Sequence, residues 1–148
     1  MSLEITISEA IKTAMREKDR VALDSLRAVK AQILLLKTEA IGAEVSAEQE
    51  IAILQRMIKQ RKDSYEQFTA QGRTDLAEVE EAQSKVIEKF LPKQLSAEEL
   101  ESEIKKIISE TGAESLKDLG KVMSVASKAL AGKSDGKTIS EMVKKLLS

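Results

Sequence analysis

The chain has 148 residues, of which 33% are charged and 42% hydrophobic, and its formal net charge is −1. It contains neither His nor Cys, which excludes imidazole bases, thiol nucleophiles, Ser-His-Asp triads, disulfides and thiolate metal sites, so we expect no metal and no cofactor. No apolar run has the length of a membrane span and the first residues lack an export signal, so we expect a cytoplasmic protein without a membrane partner.

Apolar residues recur every three or four positions along nearly the whole chain, which predicts an all-α protein. We expect a first helix to end near Glu17, Asp19 to cap a second, and Gly42 to end the loop that follows. Ser46 with Gln49 predicts a capping box at a long third helix, and Thr74 is predicted to cap a fourth. The predicted core stripes of these four helices are Ile7, Ala10, Ile11, Ala14 and Met15; Leu23, Leu26, Ile33 and Leu34; Leu54, Ile58, Tyr65 and Phe68; and Leu76, Val79, Val86, Ile87 and Phe90.

The single proline, Pro92, disfavours a helical conformation at the preceding residue and removes a backbone donor. We therefore predict two helical subdomains, an N-terminal bundle over residues 1–92 and a smaller three-helix domain over residues 93–148. Residues 112–148 hold seven lysines against four acidic residues, so a nearly neutral chain ends in a locally basic segment.

Capping signals also divide the second subdomain. Ser96 with Glu99 predicts a capping box, and Gly112 stands where a helix-ending left-handed residue belongs. Asp118 and Asp135 are predicted to cap the last two helices. Their expected core residues are Leu119, Val122, Met123, Ala126 and Leu130, followed by Ile139, Met142, Val143, Leu146 and Leu147.

Residues 129–138, ALAGKSDGKT, contain two triplets of the kind that ends a phosphate-binding P-loop. A P-loop needs a further glycine five positions before each triplet, and those positions hold Ser127 and Ala131. The preceding stretch also has helical spacing where a strand is required. The pattern therefore argues against a nucleotide site.

Glycines stand beside lysines at two predicted helix starts, where unpaired N–H groups and a partial positive charge attract phosphate. Gly120 and Lys121 lie at the first, and Gly136 and Lys137 at the second, with Lys133 in the connection. These residues are the candidate RNA-binding site. The alternative is a helix-ending glycine with ordinary surface lysines, which the local pattern alone favours.

A second basic cluster is KQRKD, residues 59–63. Arg61 falls on the apolar stripe of the third helix, so we expect its guanidinium to pack against another helix and pair with a carboxylate there. Lys59 and Lys62 point elsewhere and are candidates for contacting an acidic partner, but the local pattern favours the alternative, a structural ion pair and a solvated face.

The segments KQRKDS, FLPKQLS, GKVM and GKSDGK together resemble the YqeY-like proteins, and the resemblance spans most of the chain. These proteins are freestanding relatives of the tail domain of the B subunit of the glutamine-dependent Asp/Glu-tRNA amidotransferase. Ser134 stands where many relatives have alanine. The resemblance implies an N-terminal helical bundle joined to a smaller helical tail, and a tail that contacts tRNA outside its acceptor end.

The function that the resemblance implies is tRNA binding or accessory support of tRNA-dependent amidation, with tRNA and amidotransferase or aminoacyl-tRNA machinery as partners. The family-level activity is that of a carbon–nitrogen ligase with glutamine as nitrogen donor, but this chain shows no glutaminase nucleophile, so we expect no catalysis by the chain alone. A helical protein–protein adaptor without RNA binding is the alternative.

Overall fold

The computed structural model describes residues 2–39 and 44–148. These residues form seven α-helices and one short 3-10 helix and contain no strand, which confirms the all-α prediction. None of the helices in the described ranges is long and apolar enough to cross a membrane. The predicted loop glycine, Gly42, lies outside the described residues.

The chain divides into two compact units, Met1–Leu91 and Pro92–Ser148. The helices of the first unit are α1 (Leu3–Glu17), α2 (Arg20–Glu39), α3 (Ala47–Ala70) and α4 (Thr74–Glu88). Those of the second unit are α5 (Ala97–Thr111), the 3-10 helix (Leu116–Asp118), α6 (Leu119–Ala129) and α7 (Gly136–Leu147).

Side-chain caps begin two helices of the first unit as predicted. The Asp19 carboxylate accepts from the N–H of Ala22 at 3.1 Å, and Ser46 and Gln49 exchange the two hydrogen bonds of a capping box. The Thr74 cap is wrong, because Thr74 is the first helical residue of α4 and Arg73 precedes it without a side-chain cap.

The core of the first unit follows the predicted stripes with four exceptions. Met15, Leu34, Tyr65 and Val79 are exposed, although the sequence placed them inward. In α2 the buried line runs through Leu26, Val29 and Ile33 in steps of three and four, and the next residue, Leu34, points about 100° away. The first-unit core residues are Leu3, Ile7, Ala14, Ala22, Leu26, Val29, Ile33, Ile53, Leu54, Met57, Ile58 and Ile87.

The second unit encloses its own core, in agreement with the predicted faces of α5, α6 and α7. Its buried residues are Leu100, Ile104, Ile107, Val122, Ala126, Leu130, Ile139, Val143 and Leu147. Ser96 and Glu99 form the predicted capping box, and Gly112 ends α5 with a left-handed φ of 72°. The Asp135 carboxylate accepts from the N–H of Thr138 at 2.7 Å, which confirms the cap of α7.

Asp118 does not cap α6. It is the residue before that helix, but its carboxylate accepts from the N–H of Glu114 at 3.0 Å instead of from the first turn of α6. A 3-10 helix at Leu116–Asp118, which was not predicted from the sequence, immediately precedes α6, and the Asp118 side chain bonds to the loop before it.

Candidate functional site

The candidate RNA-binding residues lie on the α6–α7 hairpin of the second unit, and the connection between its helices is held by backbone hydrogen bonds. The Lys133 N–H donates to the Leu130 carbonyl at 2.9 Å, and the Lys133 carbonyl accepts from the Leu95 N–H at 2.9 Å. Gly132, which lies between Leu130 and Lys133 in the chain, has a φ of 77°, a conformation that favours glycine. The backbone at Lys133 is therefore fixed from both sides.

The structure places the five candidate residues in two groups. Lys133, Gly136 and Lys137 lie at the start of α7 and just before it, whereas Gly120 and Lys121 lie in the first turn of α6. Lys121 lies eight residues before the end of α6, which corresponds to about 12 Å along the helix axis. All three lysines are exposed. The hairpin thus presents ammonium groups at both of its ends instead of one compact cluster.

Both helix starts already use part of their donor capacity within the chain. At α7 the Asp135 side chain accepts from Thr138, and its carbonyl accepts from the Ile139 N–H. At α6 the Leu119 N–H donates to the Leu116 carbonyl of the 3-10 helix. A phosphate at either start would therefore depend on the lysine ammonium groups more than on the backbone N–H groups.

The last turns of α7, the 3-10 helix and the start of α6 line an open cleft of about 600 Å³. Leu116, Leu119, Glu141, Lys144 and Lys145 line it. Lys144, Lys145 and Leu116 were not among the site residues predicted from the sequence. Two signals were available: a pair of lysines in the last turn of a helix, and a leucine that fits no helical stripe.

Arg61 lies partly buried between α3 and α4, as predicted, but its hydrogen-bond partner is not a carboxylate. Its Nε donates to Gln83 Oε1 at 3.1 Å and its Nη1 donates to the Met57 carbonyl at 3.2 Å. Burial lowers the pKa of Arg61, and the negative charge of Glu80 opposes that shift. The predicted carboxylate partner is wrong, because the side-chain amide oxygen of Gln83 accepts the hydrogen bond.

Lys59 and Lys62 both form ion pairs at the surface. Lys59 Nζ lies 3.6 Å from Asp63, one turn along α3, and Lys62 Nζ lies 3.4 Å from Glu88 at the end of α4. Both lysine side chains are more than 60% exposed, so these pairs contribute little to stability.

Within the part of the chain that the structure describes, no group of three acidic side chains is arranged to hold a metal ion.

The sequence model of the family described as "Yqey-like protein" matches residues 4–147. The chain belongs to this family. The match confirms the resemblance seen in the four short segments and covers both units.

Similar curated proteins carry the name "Altered inheritance of mitochondria protein 41, mitochondrial". The one from Meyerozyma guilliermondii is 36% identical over 91 residues, which are 58% of this chain and 44% of the relative. The one from Clavispora lusitaniae is 34% identical over 82 residues (55% and 46%), and the one from Lachancea thermotolerans 29% over 99 residues (67% and 53%). The chain spans about half the length of these relatives, whose name places them in mitochondria.

Proposed function

We propose that this protein binds tRNA through the α6–α7 hairpin and acts as an accessory to tRNA-dependent amidation. The observation that carries the proposal is the exposure of Lys121, Lys133 and Lys137 at the two ends of one hairpin. They lie in a segment where lysines outnumber acidic residues by seven to four. Amidotransferase or aminoacyl-tRNA machinery is the protein partner that this proposal implies.

The separation of the lysines favours a polymeric anion over a small one. Lys121 and the Lys133–Lys137 group are separated by about 12 Å of helix, further than one phosphate reaches. A nucleic-acid strand carries regularly repeated phosphates and can satisfy both ends at once. Folded tRNA offers such phosphates with little dependence on base identity, since the lysines bind as point charges.

The proposed role is binding without catalysis. The chain has no His or Cys to act as imidazole base or thiol nucleophile, so the carbon–nitrogen ligase activity associated with the family would reside in a partner. The cytoplasmic location remains a prediction. The alternative location is the mitochondrion, where the names of the relatives place them.

A helical adaptor is the second candidate, and a groove in the first unit favours it. The groove has a volume of about 520 Å³ and lies between α2 and α3, with the exposed Leu35 on its wall. Arg56 donates to Gln32 across it at 3.0 Å. A partner protein that binds here would lose affinity on Leu35→Ala, whereas tRNA binding would be unchanged.

The test of the proposed function is titration of tRNA with the whole protein at several salt concentrations. Each lysine that neutralises a phosphate adds about one unit, or slightly less, to the slope of log affinity against log salt. We expect binding that weakens with salt, and Lys121, Lys133 and Lys137 alone are expected to contribute about two to three units to the slope. Absence of binding at low salt would overturn the proposal and leave the adaptor as the stronger candidate.

A further inference from the structure

Leu116 is an apolar side chain held at the surface by its own turn. Its side chain is 50% exposed although it belongs to the well-packed second unit. The turn is closed by two hydrogen bonds, from the Glu114 N–H to the Asp118 carboxylate at 3.0 Å and from the Asp118 N–H to the Ser115 carbonyl at 2.9 Å. The exposed leucine is therefore presented by a fixed backbone.

Two lysines and one carboxylate share the cleft beside Leu116. Lys144 and Lys145 come from the last turns of α7, and Glu141 lies one turn earlier on the same helix. Among the lining side chains the two lysines outnumber Glu141, whereas on the adjoining turns Lys117 and Lys121 are balanced by Glu114 and Asp118. An apolar wall beside an excess of ammonium groups suits a ligand that carries both an apolar surface and negative charge.

We propose that this cleft is a nucleotide-binding part of the tRNA surface, in which a sugar or base packs on Leu116 and the flanking phosphates contact Lys144 and Lys145. The inference rests on the proposed tRNA binding and extends it to residues outside the original candidate site. Charge complementarity selects the occupant, because an RNA strand supplies a phosphate on each side of every sugar. Lys121 lies two residues after Leu119 of the cleft lining, so the cleft is at the same end of the hairpin as Lys121.

Substitution of Glu141 distinguishes an RNA occupant of the cleft from a basic peptide. A carboxylate in the cleft repels phosphate, so Glu141→Gln is expected to strengthen tRNA binding, whereas a basic peptide in the same cleft would bind more weakly. Lys144→Ala with Lys145→Ala is expected to weaken tRNA binding and to lower the salt slope by about two units or slightly less. Leu116→Ala is expected to weaken binding by about fivefold with the slope unchanged, because it removes apolar contact and no charge.

The chain offers matched controls for both kinds of variant. Lys105 and Lys106 are also adjacent lysines, but they lie on the acidic helix α5, and the Lys105 ammonium pairs with Glu101 at 3.3 Å. Val79 is 43% exposed on α4 and belongs neither to the cleft lining nor to the α6–α7 hairpin. Replacing these residues with alanine is expected to leave the affinity for tRNA within about twofold of the parent.

The experiment measures tRNA affinity of the whole protein and these variants at several salt concentrations, with circular dichroism to show that each variant folds. The inference is supported if the lysine pair and Leu116 variants bind more weakly, Glu141→Gln binds more tightly and the controls match the parent. If the parent binds tRNA and the cleft variants bind it equally well, the inference is wrong while the proposed function stands. If the parent does not bind tRNA, the proposed function fails and the inference fails with it.

Discussion

Arg61 on α3 and Gln83 on α4 are joined by a hydrogen bond of 3.1 Å between Nε and Oε1. The guanidinium also donates to the Met57 carbonyl, so it links the two helices while its aliphatic stem is partly buried. A cationic side chain from KQRKDS thus acts within the first unit, and its position is explained by structure without any ligand.

Arg61→Ala is therefore expected to destabilise the protein by about 1–2 kcal/mol, since it removes the hydrogen bonds that the charged guanidinium donates and leaves the Gln83 side-chain carbonyl oxygen without that partner. Chemical denaturation at neutral pH measures the change. Lys59→Ala is the matched control on the same helix, and its effect is expected within about 0.5 kcal/mol because its ion pair with Asp63 is exposed. Equal effects of the two substitutions would contradict the structural role of Arg61.

The two capping boxes give a pH-dependent prediction. Hydrogen bonds from the Ser96 backbone and then from its side chain lower the pKa of Glu99 below its ordinary 4.5. A carboxyl whose pKa is lowered by folding contributes stability above its unfolded pKa and loses it as the pH falls through the folded pKa. Glu99→Gln is expected to lower stability near neutral pH and to make little difference in acid below the folded pKa.

The equivalent box at Ser46 already carries an amide, Gln49, at the same position. Thermal unfolding between neutral pH and about pH 3 should therefore show a pH-dependent difference for Glu99→Gln, and Gln49→Glu should introduce a similar dependence at α3. A Glu99→Gln difference that is constant over this range would show that the charge of Glu99 contributes nothing to the cap.

Glycine 120 provides a test that separates folding from RNA contact. An added Cβ at Gly120 meets no heavy atom within 4 Å, and its φ is not left-handed, so Gly120→Ala is expected to leave stability unchanged or raise it by up to about 1 kcal/mol. If a phosphate approaches this backbone closely, the same substitution weakens tRNA binding. Unchanged tRNA affinity would remove Gly120 from the proposed site.

Gly112→Ala is the contrasting variant. Gly112 has a φ of 72°, so alanine there is expected to cost about 1 kcal/mol while tRNA binding of the folded protein is unaffected. Denaturation and tRNA titration of the two variants check both statements together.

Short-range features of the fold were predictable because their causes lie within a few residues. The boxes at Ser46 and Ser96, and the left-handed Gly112, depend on side chains three residues apart or on a single backbone conformation. The predicted caps at Thr74 and Asp118 were wrong for different reasons. Thr74 is itself the first residue of α4, so Arg73 holds the cap position, whereas the Asp118 carboxylate accepts a hydrogen bond from the Glu114 N–H of the preceding loop.

Features that depend on neighbouring helices were harder to predict. Leu34 and Val79 fit the apolar spacing of a buried helix face, but the neighbouring helices pack against other faces of α2 and α4 and leave both residues exposed. The separation of Lys121 from Lys133 follows from the length of α6, which the glycine–lysine pattern at each helix start does not reveal. The cleft beside Leu116 is lined by residues of α7, the 3-10 helix and α6 that are far apart in the sequence, so its lysines were not identified from the sequence.

We expect that the purified chain alone catalyses neither glutamine hydrolysis nor ATP hydrolysis. Incubation of the purified protein with glutamine, and separately with ATP, is expected to release no ammonia and no phosphate, because the sequence holds no thiol nucleophile or imidazole base and lacks the second glycine of a P-loop. Turnover that disappears when a residue of this chain is substituted would contradict the accessory role.

The most direct test of tRNA binding by the hairpin is a triple substitution of Lys121, Lys133 and Lys137 by alanine, titrated with tRNA at several salt concentrations. The control is a triple alanine variant at lysines that are ion-paired on other helices, namely Lys59, Lys85 and Lys105. We predict that the hairpin variant binds more weakly than the control and that its salt slope falls by about three units or slightly less. A hairpin variant that binds tRNA with the affinity and salt slope of the parent would contradict the account.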